Sequence, residues 1–324
     1  MRSDDKNNNE ACNGSNWNDT EECALAAPRW MAKRLEQGER GRLYLASRYE
    51  LHDALLRTAG EQALGKWPEP FSGYCANVEA NLLKDVPFSD LREAFDNGKG
   101  QELHGKGQCP PKMAAVYSSS ALVLNTFGPW HKDPSELAIN GHTGFHTMKF
   151  EAQLTHGLRG TRPHLDLCLE SDKEVLAIES KCLEYLDAKP AKFSTAYDTI
   201  VDHRAKSPWF RHIAMLRKNN RRYKYLDAAQ LIKHYLGLSH SRPKQSITLL
   251  YLFWEPSNWQ DFETFRRHRE EIDAFTQVVG GDRVRFQAMS YNDLWADWEQ
   301  RSSPSLLVDY VRRLKHRYEV RIRC

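Results

Sequence analysis

What the chain lacks narrows its class. Among its 324 residues there is no apolar run near the roughly 20 residues that a membrane helix needs. Residues 1–24 have none of the apolar centre of a signal peptide. Seven cysteines include no C-x-x-C pair, which argues against a zinc or disulfide framework and for reduced thiols in the cytoplasm. Internal repeats and low-complexity linkers are missing too. A single domain over residues 25–324 is therefore expected, behind an Asn- and acid-rich tail, residues 1–24, expected to be disordered. Hydrophobic residues at 40% and charged residues at 27% are ordinary for a soluble protein with a large core. A net charge of +3 says little, but its distribution says more. Residues 204–244 hold eleven Lys or Arg against one acid, Asp227, and residues 311–324 hold six against Glu319.

What is present centres on residues 150–186, FEAQLTHGLRGTRPHLDLCLESDKEVLAIESKCLEYL. Residues 163–169 and 175–181 alternate apolar and polar with period two, which predicts half-buried strands. The polar cluster Ser171-Asp172-Lys173-Glu174 between them suits a tight turn. A hairpin centred there sets Asp166 opposite Glu179. One face then carries His164, Asp166, Cys168, Ala177, Glu179 and Lys181, while Leu165, Leu167, Leu169, Leu176, Ile178 and Ser180 form a core face.

Two opposed carboxylates repel, and burial would raise their proton affinity unless a cation joins them. Lys181 is one such cation, two residues along the same face. A divalent metal is the other, and hard oxygen ligands suit Mg²⁺, with Mn²⁺ as a substitute. A metal held by Asp166 and Glu179 would bind a phosphate oxygen and acidify a water, with Lys181 orienting that water or steadying the phosphate's charge. That is the chemistry of phosphodiester hydrolysis.

Asp166, a thirteen-residue step, and then Glu179-Ser180-Lys181 resemble the D…(D/E)-x-K signature of the PD-(D/E)XK nuclease superfamily, the restriction-endonuclease-like fold. Phe150-Glu151, Pro163-His164-Leu165-Asp166 and Glu184 behind the motif are similar to bacterial restriction or repair nucleases. The likeness is firm over about residues 115–190 and looser to about residue 295. One departure is that Pro163 stands three residues before the Asp rather than beside it. The resemblance implies an α/β core, residues 115–295, with a central mixed sheet flanked by helices and an N-terminal helical elaboration. It also implies Asp166 and Glu179 as metal ligands, Lys181 serving the nucleophilic water, and a 5′-phosphate product. In the superfamily the first core helix often adds an acid, but residues 116–130 contain none. Glu151 is the candidate to fill that role, because pairing Leu154 with Pro163 sets it opposite Asp166. On that strand Phe150, Ala152 and Leu154 are expected to face inward together. Glu184 reads as a salt-bridge partner rather than a ligand.

The expected partner is DNA, in duplex form, with no membrane. Arg159 and Arg162 hang before the Asp166 strand, where they would clamp phosphates. Arg217, Lys218, Arg221 and Arg222 lie among Trp209, Phe210, Tyr223 and Tyr225, a mixture that suits backbone contact plus base stacking. Gln230 sits where related nucleases often carry a Gln on the helix after the motif. His142 and His146 have a metal-like spacing, but Gly141 and Gly144 beside them argue against a zinc site. Many relatives cut as homodimers, although no obvious dimer helix stands out here. Restriction or defence is preferred to repair because no helicase or ATP-binding segment is present. The alternative is a catalytically silent nucleic-acid-binding protein of the same fold. A two-carboxylate glycosidase is disfavoured by the adjacent Lys and the basic segments.

Overall fold

The computed structural model describes residues 38–67, 71–96, 102–155, 157–158, 162–187, 190–198, 206–242, 245–301 and 305–323. In chain order its main elements are helices α1 (Glu39–Ala59), α2 (Phe88–Asp96) and α3 (Ser119–Phe127), then strands β1 (Phe145–Gln153), β2 (His164–Ser171) and β3 (Glu174–Lys181). Helices α4 (Pro208–Lys218) and α5 (Ala228–Ser241) lead to β4 (Ser246–Phe253), and α6 (Glu263–Val279) leads to β5 (Val284–Ser290). Helices α7 (Tyr291–Gln300) and α8 (Ser305–Tyr318) close the chain. The five strands make one mixed sheet in sequential order. The β1–β2 and β2–β3 pairs are antiparallel, and β3–β4 and β4–β5 are parallel.

Local chemistry sets these boundaries. The Ser171 hydroxyl accepts from the backbone N–H groups of Lys173 (3.3 Å) and Glu174 (3.2 Å), tying the turn between β2 and β3. Ser118 caps α3 by accepting from the Ala121 N–H, and Asp227 caps α5 by accepting from the Gln230 N–H. Parallel neighbours need crossover connections, which α4–α5 and α6 supply. Helices cover both faces, so β4 is apolar and buried along nearly its whole length. One face packs Leu167, Leu169, Leu176, Ile178, Leu250 and Leu252 with α1, α3, α7 and α8. The other packs Cys168, Val175, Ala177, Leu249, Tyr251 and Phe253 with α4, α5 and α6. Each fully buried aliphatic or aromatic side chain stabilises the fold by about 1.5–3 kcal/mol.

Two features go beyond the sequence reading. Residues 208–218 form a helix, and Trp209, Phe210, Ile213 and Leu216 bury one stripe of it. On β1, Phe150 packs in the first core, whereas Ala152 and Leu154 pack in the second. Leu167 and Leu165 of β2 divide in the same way. Both strands therefore turn over between those positions, and Glu151 there has a left-handed φ of 48°. The three side chains do not share a face because a non-glycine residue has left the extended conformation.

The thiols also depart in part from the expectation. Cys75, Cys168 and Cys182 are free, but Cys109 is disulfide-bonded. Among the described residues, no helix is long and apolar enough to cross a membrane.

Candidate active site

The β2–β3 ladder follows the expected register from Glu170↔Val175 to Leu167↔Ile178 and then stops. One residue further on stand Asp166 and Glu179. There the strands separate, and Oδ2 of Asp166 takes the Ser180 N–H at 2.6 Å. On the other side Phe150 pairs with Leu167 and Ala152 with Leu165, which brackets Glu151 across from Asp166. The backbone thus brings Glu151, Asp166 and Glu179 together on three adjacent strands. This lies toward the carboxyl end of β3, where Glu179 pairs with Tyr251 and Lys181 with Phe253 of parallel β4. Carboxyl ends of parallel strands are the usual place for ligand sites in α/β sheets.

Glu179 is the most enclosed of the three. Its Oε1 lies 2.5 Å from the Lys181 ammonium, and its Oε2 lies 2.8 Å from Nε2 of His234 on α5. Burial alone would raise its carboxyl, but Lys181 and His234 outweigh burial and hold it down to about 2. For Lys181 burial acts to lower the ammonium, yet the charges of Glu179, Glu184 and Asp166 raise it well above the ordinary lysine range. Asp166 moves the opposite way to Glu179. Burial, the Glu179 charge and Glu151 raise it well above the ordinary range, against the pull of Lys181. Glu151 is pushed up to about 8 by burial and by the charges of Glu102 and Glu179. Glu179 is thus held in its ionised form while its two neighbours are pushed toward holding their protons more tightly, which is how crowded buried carboxylates behave without a bridging cation.

Two further acids border the cluster. Glu184 accepts the Cys182 N–H at 2.6 Å, and its charge reaches Lys181. Glu102 stands in the loop before α3, with Lys112 3.9 Å from its Oε1. Burial raises the Glu102 carboxyl against the pull of Lys112. Glu102 and His234 are the participants that sequence reasoning missed. For His234 a signal existed, because it lies one helical turn after Gln230 and so on the same side of α5. For Glu102, in a Gly- and Pro-broken loop, there was none.

The donor set fits a hard divalent cation, being carboxylate oxygens whose charges are not neutralised by Lys181 alone. Among the described residues no three His, Cys, Asp or Glu side chains stand ready-grouped around a metal position. Mg²⁺ does not require that, since it commonly takes one or two carboxylates and completes its shell with water and phosphate.

The structure distributes the expected nucleic-acid residues unevenly. Arg159 lies outside the described residues. Arg162 is exposed and donates to Oε1 of Gln153 at 3.3 Å. Lys218, Arg221 and Arg222 are exposed, and Arg217 is exposed but paired with Asp198 at 2.5 Å. Gln230 is half-buried in the first turn of α5. The interleaved aromatics are not a stacking platform. Trp209, Phe210, Tyr223 and Tyr225 are core residues, and Trp209 stacks on Tyr235 at 4.7 Å between ring centres. Helical spacing aims Trp209 and Phe210 inward, while Tyr223 and Tyr225 are buried from the connection between α4 and α5, with Arg221, Arg222 and Lys224 exposed beside them. His142 and His146 do not meet as ligands, since His142 contacts Glu174 at 2.5 Å and His146 lies 3.4 Å from Asp172.

A mixed five-stranded sheet flanked by helices, with this acid–lysine cluster where two strands part, defines an α/β protein of the restriction-endonuclease-like class. Comparison with protein families then places it: over residues 56–319 the chain matches the family described as restriction endonuclease associating with ARP. That match covers well over half of the sequence, and the chain belongs to this family. No curated protein and no solved structure gives a significant match.

Proposed function

We propose that this protein is a Mg²⁺-dependent nuclease that hydrolyses phosphodiester bonds of duplex DNA in the cytoplasm, with Mn²⁺ able to replace Mg²⁺. The observation that carries this reading is the convergence of Glu151, Asp166 and Glu179 on three adjacent strands with Lys181 against Glu179. Asp166 and Glu179 would hold the cation, with Glu151 assisting. When bound, the cation would polarise a phosphate oxygen and make a water more acidic. Lys181 keeps its proton under the surrounding negative charge, so it serves as a charged donor that orients the water or steadies the phosphate, not as a base. The exposed Arg162, Lys218, Arg221 and Arg222 supply cations for the DNA backbone. Restriction endonuclease in the family's description favours a defence role over repair, and ARP is carried over as a partner.

A second reading, a binder that no longer cuts, draws on one observation. Both oxygens of Glu179 already contact protein groups, Lys181 and His234. The test is incubation of supercoiled plasmid and linear duplex with Mg²⁺, Mn²⁺ or EDTA, beside Asp166→Ala and Lys181→Ala proteins. Metal-dependent nicking that falls at least about 100-fold in both variants supports the nuclease. DNA retention without cleavage supports the binder.

A further inference from the structure

Glu179 is buried with a neighbour that the three-residue motif does not include. His234 and Glu179 are each only 2% exposed, and Nε2 of the imidazole lies 2.8 Å from Oε2 of the carboxylate. An ionised carboxylate only accepts, so the hydrogen must sit on Nε2. The contact falls short of a full hydrogen bond, and among the described residues Nδ1 is buried without a hydrogen-bond partner. Among the described residues, the polar contact of the imidazole is the Glu179 carboxylate. Burying a polar ring this way costs free energy unless something is gained.

The helix that carries His234 is held unusually close to the sheet. A Cβ at Gly237, one turn further along α5, would stand 2.7 Å from Cβ of Leu154 and 3.2 Å from Cγ of Pro163. Those residues stand just after the end of β1 and just before the start of β2, beside the strand segments that carry Glu151 and Asp166, and Leu154 N–H donates to the Pro163 carbonyl. A glycine inside a helix is destabilising relative to alanine. Here it permits α5 to approach near enough for an imidazole to reach a carboxylate on β3.

We propose that His234 is the positioning residue of the site, fixing the Glu179 carboxylate in the orientation that serves as a divalent-cation ligand. This rests on the metal-dependent reading above. A carboxylate oxygen has two lone-pair directions, so it can accept from a neighbour and still serve a cation. Partners that orient metal-ligating side chains typically matter 10–100-fold, roughly, in metal affinity. Lys181 hydrogen-bonds to Oε1 and His234 lies against Oε2, so rotation of the carboxylate about its terminal bond would break the one and displace the other. Without His234 one oxygen is left to swing, and the ordering cost falls on cation binding.

The test compares the wild-type protein with His234→Gln, whose amide N–H can still reach Glu179, and His234→Leu, which fills similar volume without a donor. Mn²⁺ binding is followed by electron paramagnetic resonance without DNA, and duplex binding in EDTA and thermal melting are recorded alongside. The expected result is Mn²⁺ binding weakened roughly 10–100-fold in His234→Leu and largely recovered in His234→Gln, with duplex binding in EDTA unchanged. Equal Mn²⁺ affinity in all three proteins overturns the inference while leaving the nuclease reading standing. Equal weakening in both variants, together with a lowered melting temperature, reduces His234 to packing and also overturns it. A wild-type protein that binds no Mn²⁺ sinks the metal-dependent reading first and this inference with it.

Discussion

Strand β3 carries two glutamates that are chemically near-twins. Glu174 begins it, with His142 2.5 Å from one oxygen and Arg285 2.8 Å from the other. Glu179 lies near its end, with His234 2.8 Å from one oxygen and Lys181 2.5 Å from the other. A histidine and a cation flank each carboxylate, so the pairing cannot itself mark a functional site. The difference lies in what else is near. Around Glu174 the further partners of His142 and Arg285 are neutral, Gln287 and Ser246. Around Glu179 stand two more acids, Asp166 and Glu151, and burial first, then the neighbouring carboxylates, make both hold their protons more tightly. The ladder is also intact beside Glu174, where Glu170 pairs with Val175, and open beside Glu179. A closed ion network stabilises the fold, whereas an open one with surplus acid invites a ligand.

The largest expected effect breaks this comparison by making the same substitution twice. Glu179→Gln keeps the shape and removes a charge that Lys181 and the proposed cation both need. Cleavage should fall at least about 100-fold, measured as initial nicking rates at saturating Mg²⁺, while duplex binding in EDTA persists. Retained cleavage in Glu179→Gln would remove that carboxylate from the mechanism.

A smaller effect follows from Glu151. Its folded value of about 8 lies above the 4.5 of an ordinary glutamate, so folding takes up a proton between those values. With no cation present, that group makes the protein less stable as pH rises through this window. A divalent cation must displace the proton, so its stabilising effect should be small at pH 6 and grow through pH 9. Paired melting curves with and without Ca²⁺ across this range measure it directly. Glu151→Gln should flatten the growth, and a wild-type increment that stays constant with pH would exclude Glu151 from the cation's surroundings.

Much of this arrangement was legible because the strand period sorts residues by parity. Counting outward from the Ser171–Glu174 turn set the hairpin register, and counting from Leu154 and Pro163 set Glu151 across from Asp166. Parity carries no information about where a strand stops being a strand, so neither the left-handed Glu151 nor the parting at Asp166 could be read. Trp209, Phe210, Tyr223 and Tyr225 were misjudged for a related reason. Their basic neighbours suggested a surface, but α4 puts Trp209 and Phe210 inside with Arg211 outside, and the connection to α5 buries Tyr223 and Tyr225 while leaving Arg222 and Lys224 exposed. His234 reaches Glu179 only through packing of α5 on the sheet, and Glu102 only through the path of a loop. Contacts between residues tens of positions apart are set by tertiary packing that local periodicity does not encode.

The smallest effect sharpens the comparison from the other end. Glu174→Gln should leave cleavage and Mn²⁺ binding unchanged, because none of the groups that raise Asp166 or Glu151 lies beside it. Its cost should appear in stability. Glu174 is 17% exposed and ties β3 to His142 and, through Arg285, to β5. Removing its charge leaves the Arg285 guanidinium, itself 53% exposed, to be solvated by water, which limits the penalty to about 1–3 kcal/mol. For a chain of this size that is a drop of a few degrees in melting temperature, roughly 2–4 °C per kcal/mol at most. A Glu174→Gln protein that melted normally but cut slowly would reverse the assignment of the two glutamates, and surplus negative charge could then no longer serve to tell a structural ion pair from a site.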